Sequence, residues 1–141
     1  MTIYIAGKIT GDPDYKEKFN SYQKMLEERG HIVLNPAVLP SEGFSYAAYM
    51  RMSAAMLREC EAVCFLPDWA ESNGAMSEFK KAAKAQKVIY FVIKDRFLTS
   101  LQKLSELEIK THMELIPSYQ KILKGKAIIS IDEMLKEACV K

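Results

Sequence analysis

Between Cys60 and Ala83 the chain passes from an apolar run, Ala62-Val63-Cys64-Phe65-Leu66, through the loop Pro67-Asp68-Trp69-Ala70-Glu71-Ser72-Asn73-Gly74, into a helical pattern beginning Ala75-Met76-Ser77-Glu78. A short apolar strand followed by a small-residue turn and a helix is how an open α/β sheet presents a ligand site, at the carboxyl end of the strand. The spacing puts Glu78 in the first turn or so of that helix, facing the crevice.

The rest of the chain repeats the alternation. Thr2 to Ala6 reads as a first strand, followed by the loop Gly7-Lys8-Ile9-Thr10-Gly11-Asp12-Pro13. From Asp14, the residues Tyr15, Phe19, Tyr22, Met25 and Leu26 recur at three- and four-residue intervals, one face of an amphipathic helix ending at Gly30. Ile32-Val33-Leu34 forms a second strand, stopped by Asn35-Pro36. Pro40 and Gly43 mark an excursion over the sheet edge before a helix from Ser45 to about Arg58, with Ala48, Met52, Ala55 and Met56 inward. After the central strand, a helix from about Asn73 to Gln86 leads to a fourth strand, Val88 to Ile93. Helices between successive strands imply parallel pairing with right-handed crossovers. The expected architecture is a doubly wound α/β sheet, flavodoxin-like or Rossmann-like. Beyond Ile93, Phe97, Leu98, Leu101, Leu104 and Leu107 suggest a helix. Lys126 to Ser130 suggests a short strand, and Asp132 to Ala138 a helix capped by Ser130 or Asp132. Glu108 to Gly125 follows no clear pattern.

Composition sets the frame for this alternation. The 141 residues, 49% apolar and 27% charged, suit a single domain over 1–141 with a core of about 1–93 and an extension of about 94–141. Twenty basic and 18 acidic side chains, interspersed along the chain, leave a net charge of +2 and no electrostatic case for nucleic acid or an anionic membrane. No apolar run approaches the roughly 20 residues of a membrane helix, and Met1-Thr2-Ile3-Tyr4-Ile5 enters a strand pattern without the features of a signal peptide. Cys60, Cys64 and Cys139 read as reduced core thiols, so a cytoplasmic protein without a metal site is expected.

Tyr4-Ile5-Ala6-Gly7-Lys8-Ile9-Thr10-Gly11 at the first strand, Asn35-Pro36 after the second, and Leu66-Pro67-Asp68-Trp69 with Ser72-Asn73-Gly74-Ala75-Met76-Ser77-Glu78 after the third resemble the nucleoside 2-deoxyribosyltransferase-like superfamily. The match is to its branch of small bacterial and phage proteins with a Leu-Pro-Gly-Trp, Ser-x-Gly-Ala and glutamate pattern. It covers roughly residues 3 to 93. The resemblance implies cleavage of an N-glycosidic bond, without a cofactor, in a homodimer or higher homo-oligomer. Glu78 would attack the anomeric carbon of a deoxyribose, and a second base or water would resolve the glycosyl-enzyme. A helix amino terminus would hold Glu78 ionised; equally, such a glutamate can be a dipole-matched surface residue.

Other residues acquire expectations from the same comparison. Ser72 stands where transferases of free nucleosides often carry an aspartate that binds a sugar hydroxyl, whereas hydrolases of deoxynucleoside 5'-monophosphates carry serine. Ser72 and Gly74, with Gly7, Lys8, Ile9, Thr10 and Gly11 in the first loop, therefore suggest a phosphate at the 5' end. Ser72 also reads as a plain helix N-cap, and Gly11 as a residue required by a tight turn. Tyr4 would orient the nucleophile. Relatives place an aspartate where this chain has Ser53, so the departing base lacks its usual proton donor, a loss of about 10²–10⁴-fold. Asp68, at the strand's carboxyl end, is the substitute carboxyl. Trp69 reads either as a platform for a nucleobase or as a packing residue. A nucleotide-binding protein without turnover is the alternative to an enzyme.

Overall fold

In the computed structural model, which describes residues 1–125, β1 (Thr2–Ala6) and β3 (Ala62–Phe65) lie side by side at the centre of a five-stranded sheet of order β2-β1-β3-β4-β5. β1 pairs in parallel with β2 (Ile32–Leu34) on one side and β3 on the other, and β3 pairs in parallel with β4 (Val88–Asp95). Successive side chains of a strand point to opposite faces, so an apolar run is stable only if both faces are covered. Ile3 and Ile5 of β1, with Ala62 and Cys64 of β3, bury against Phe19 and Leu26 of α1 (Tyr15–Glu28). Tyr4 and Ala6, with Val63 and Phe65, bury against Leu57 of α2 (Tyr46–Glu59), Met76, Phe79 and Ala82 of α3 (Asn73–Lys84), and Ile116 and Tyr119 of α4 (Glu106–Gly125). The sheet is doubly wound, with the 2-1-3-4 strand order of flavodoxin-like folds.

Local chemistry sets the element ends. The Ser45 hydroxyl accepts from the Ala48 amide at 3.1 Å and starts α2; the Ser72 hydroxyl does the same for Ala75 at 3.1 Å and starts α3. Beyond β2, the buried Asn35 accepts from the Ala37 amide at 2.8 Å and donates to Asn20 and Gln23 of α1 at 3.0 and 2.9 Å. One side chain thus ends the strand and fastens the turn to the helix.

The segment after β4 departs from expectation. Phe97 to Leu107, expected as a helix, begins instead as β5 (Leu98–Lys103), antiparallel to β4 through a turn at Arg96 and Phe97. The leucines at 98, 101, 104 and 107 mimic a helical spacing, yet Leu101 and Leu104 serve opposite sides of the sheet. An open β4 edge offers backbone partners that local spacing does not disclose. The sheet is therefore mixed, parallel over four strands with an antiparallel edge. α4 follows behind a reciprocal cap. Glu108 N donates to the Ser105 hydroxyl at 3.2 Å and Ser105 N to the Glu108 carboxylate at 3.1 Å. Pro117 lies within this helix and interrupts its sequence signal. The expected elements at Lys126 to Ser130 and Asp132 to Ala138, and Cys139, lie outside the described residues.

Trp69 is fully buried. Its ring stacks on Phe79 at 5.0 Å between centroids and meets Phe65, Phe91, His112 and Tyr119 within 5.9 Å. Truncation here removes the hub of the larger core, so Trp69→Ala should cost about 3–5 kcal/mol of unfolding free energy, read by denaturant titration.

Candidate active site

Strand order reverses at β1 and β3. α1 leaves β1 toward one face and α3 leaves β3 toward the other, and their diverging starts open a crevice at the strands' carboxyl ends. A cavity of about 520 Å³ occupies it. Its walls are Tyr4, Ile5 and the loop residues Gly7, Ile9 and Thr10; Tyr15 and Phe19 of α1; Pro36 and Leu39 to Ser41; Tyr46, Tyr49, Met50 and Ser53 of α2; and Glu71 to Ala75 with Glu78.

The two central strands approach closely at the cavity floor. Leu66 N donates to Ala6 O at 2.8 Å, and a Cβ on Gly7 would stand 2.9 Å from the Leu66 side chain. Only glycine fits there without moving Leu66. Asp68 closes the same corner, accepting from the Lys8 amide at 3.0 Å through one oxygen and pairing with the Lys18 ammonium through the other. Lys18 also bonds Lys8 O at 2.8 Å and pairs with Asp12. The hydrogen bond from Lys18, helped by the Asp14 amide, holds the Asp12 carboxyl below its ordinary range.

This arrangement redistributes the expected site residues. Tyr4, Gly7, Ile9, Thr10, Ser72, Gly74 and Glu78 line the one cavity. Asp68 does not line it: both its oxygens are engaged by the loop and Lys18, so it is a staple and not a spare acid. Trp69 does not line it either, its ring lying in the core, where packing with five aromatic neighbours takes the place of a ligand. The Lys8 ammonium lies 3.9 Å from the Glu71 carboxylate, outside the wall. Gly11 is also outside, in a turn with φ of +83° that favours glycine.

Glu78 departs from its expected state. It is the sixth residue of α3, in the second turn, and it is 6% exposed with one carboxylate oxygen, Oε2, buried without a hydrogen-bond partner among the described residues. Desolvation pushes its pKa up to about 7, against the opposing effects of the Tyr4 hydroxyl and Lys81. Burial outweighs the helix dipole, which fades beyond the first turn. Tyr4 is itself raised well above its ordinary value, by burial first and then by the charge of Glu78. Its hydroxyl faces both Glu78 and Ser53.

Tyr46, Tyr49 and Met50 were not expected in the site. With Ser53, singled out only for the aspartate it replaces, they recur at three, four and seven residues, one face of α2. Hydroxyl-bearing and sulfur side chains on a single stripe were the available signal. Tyr49 donates to Pro40 O at 2.6 Å and packs edge-on against Phe44, which ties the Leu39 to Ser45 loop to α2, and Leu39 to Ser41 of that loop line the cavity.

The fold is that of the nucleoside deoxyribosyltransferases. The chain overlays a 2-deoxyribosyltransferase of Bacillus psychrosaccharolyticus with a TM-score of 0.54 at 16% identity, over 64% of this chain and 71% of that one. It overlays a 2-deoxyribosyltransferase of Leishmania mexicana with a TM-score of 0.53 at 23% identity, over 67% of this chain and 65% of that one. A conserved protein from Enterococcus faecalis V583 matches over 99% of this chain and 98% of its own length, with a TM-score of 0.50 at 13% identity. No curated protein matches the sequence. The chain belongs to the family described as a domain of unknown function, DUF4406, which matches residues 1–91. That span ends within β4 and contains every cavity residue.

The unusual proton affinity of Glu78 gives a stability prediction. Its folded pKa lies above the ordinary glutamate value, so between about pH 4.5 and 7 the unfolded chain releases a proton that the folded chain keeps. This contribution is complete below that window and is lost as pH rises through about 7. Denaturant titrations should therefore show the wild type losing stability relative to Glu78→Gln across this window, by an amount on the order of a few kcal/mol.

Proposed function

We propose that the cavity binds a 2'-deoxynucleoside or its 5'-monophosphate and that Glu78 cleaves the N-glycosidic bond. One observation carries this reading: a buried carboxylate with an unpaired oxygen, poised between its two protonation states near pH 7, lines a nucleoside-sized cavity at the switch point of the sheet. A carboxylate nucleophile suits an oxocarbenium-like centre, because its charge stabilises the positive charge that develops there. The fold shared with proteins named as 2-deoxyribosyltransferases adds support from a separate direction.

In the proposed reaction, ionised Glu78 forms a bond to the anomeric carbon while the bond to the base breaks, the bonding pair leaving with the base. A second base or water then displaces the carboxylate. Tyr4 is a positioning residue, holding Glu78 and favouring its ionised form. Ser72 caps α3 and places its hydroxyl beside Gly74 at the cavity wall, within reach of a sugar hydroxyl. Tyr46 offers a ring and a hydroxyl for the base, and Tyr49, whose hydroxyl donates to Pro40 O, offers its ring.

Ser53 favours a second reading, a nucleotide-binding protein without turnover. It lines the cavity beside Tyr4 and supplies no strong proton donor for the departing base. Incubation with deoxynucleosides and their monophosphates, with and without a second base, separates the two readings. Base release or exchange that disappears in Glu78→Ala is the expected outcome; binding without release would support the second reading. Activity should rise with pH through about 7 as Glu78 loses its proton. Tyr4→Phe removes a donor that lowers the Glu78 pKa, so its rise should move to higher pH, as read from the kcat profile.

A further inference from the structure

The expectation of a 5'-phosphate rests on Ser72 and on the glycine amides, the hydroxyl and the one cation of the first loop, and the side-chain charges at the cavity wall there are of the opposite sign. Among the described residues lining the cavity, the two that carry formal charge are Glu71 and Glu78, and both are acidic. The two lysines at this corner are already matched. Lys18 pairs with Asp12 and Asp68, and Lys8 stands 3.9 Å from Glu71, so three carboxylates face two ammonium groups. The amino end of α3 contributes only about half a positive charge. The Ser72 hydroxyl accepts from the Ala75 amide as the helix cap and adds no positive charge.

We propose that Glu71 is a specificity-determining residue: within the glycosidic reading above, its carboxylate accepts a hydrogen bond from the 5'-hydroxyl of a neutral deoxynucleoside and repels a 5'-phosphate. Glu71 lines the cavity where the loop leading into α3 meets the first loop. Its side chain is 27% exposed, sheltered enough for a like charge to be felt and open enough to stay hydrated when the cavity is empty. Lys8 holds the Glu71 side chain toward the first loop from outside the wall, which accounts for a lysine at this corner without a phosphate to bind it. Glu78 adds a second negative charge in the same cavity whenever it is ionised. A phosphate would meet both carboxylates, whereas a primary hydroxyl meets Glu71 as an acceptor.

The test compares kcat/KM for 2'-deoxynucleosides and their matched 5'-monophosphates in the wild type, Glu71→Gln, Glu71→Lys and Lys8→Met. The wild type should favour the nucleosides. Glu71→Gln should move the ratio toward the monophosphates by about tenfold or more, the scale of one charge contact in a partly hydrated site, and Glu71→Lys should move it further. Lys8→Met, which leaves Glu71 unopposed, should move it the other way. A wild type that favours monophosphates, or a ratio unchanged in both Glu71 variants, would overturn the proposal. Equilibrium binding of the same pairs to Glu78→Gln reads the selectivity without turnover. Nucleoside-selective binding that relaxes in Glu71→Gln, Glu78→Gln, with no base released by the wild type, would uphold the role of Glu71 and overturn the glycosidic chemistry instead. Monophosphate-selective binding, or binding of neither, would overturn the role itself.

Discussion

The adjacent parallel pairing of β1 and β3 is the constraint on which the remaining architecture rests. With helices leaving these strands toward opposite faces, their carboxyl ends cannot be covered by either crossover, and a crevice results. Its geometry depends on close backbone approach, which a side chain on Gly7 would obstruct at Leu66. The ends are then tied by Asp68 and Lys18, one carboxylate and one ammonium joining the first loop, α1 and the β3 loop. Partly buried ion pairs of this kind cost desolvation and return geometric definition. The cavity wall inherits that definition.

Burial is the second organising influence, and it acts on Glu78 more strongly than the helix to which Glu78 belongs. A helix amino terminus stabilises an anion through its peptide dipoles, but a side chain in the second turn, cut off from water, loses more solvation than the dipole returns. Tyr4 offsets part of that loss by offering a hydroxyl. The result is a carboxyl group able to change protonation state near neutrality, inside a space large enough to admit a small molecule. A polar group kept without a full set of partners costs stability.

Much of this was legible along the chain because the relevant signals are local. The apolar runs of β1 and β3, the small-residue turns behind them, and the serines that begin α2 and α3 all express preferences of a few neighbouring residues. Ser72, Gly74 and Glu78 line the cavity, while Met76 between them turns into the core. Where the reading failed, the deciding contact was one that the spacing of apolar residues does not encode. β5 looks helical by its leucine spacing and becomes a strand because β4 offers an open edge. α4 loses its signature to Pro117 although Ser105 and Glu108 form a reciprocal cap. Asp68 and Trp69 are neighbours in one loop. One is drawn to Lys18, 50 residues earlier, and the other into a core shared with α4.

The sequence by itself determined the alternation of strands and helices through β4, the parallel sense of their pairing and the segment that would carry the crevice. These follow from hydrophobic periodicity, caps and turn residues, whose physics is confined to a few positions. Only the tertiary structure decided which charged groups face the cavity, which are consumed in holding its corner, and that Glu78 is buried enough to hold its proton near neutral pH. Electrostatic energies and desolvation depend on distance and dielectric in three dimensions, and neither quantity exists until distant parts of the chain have been brought together.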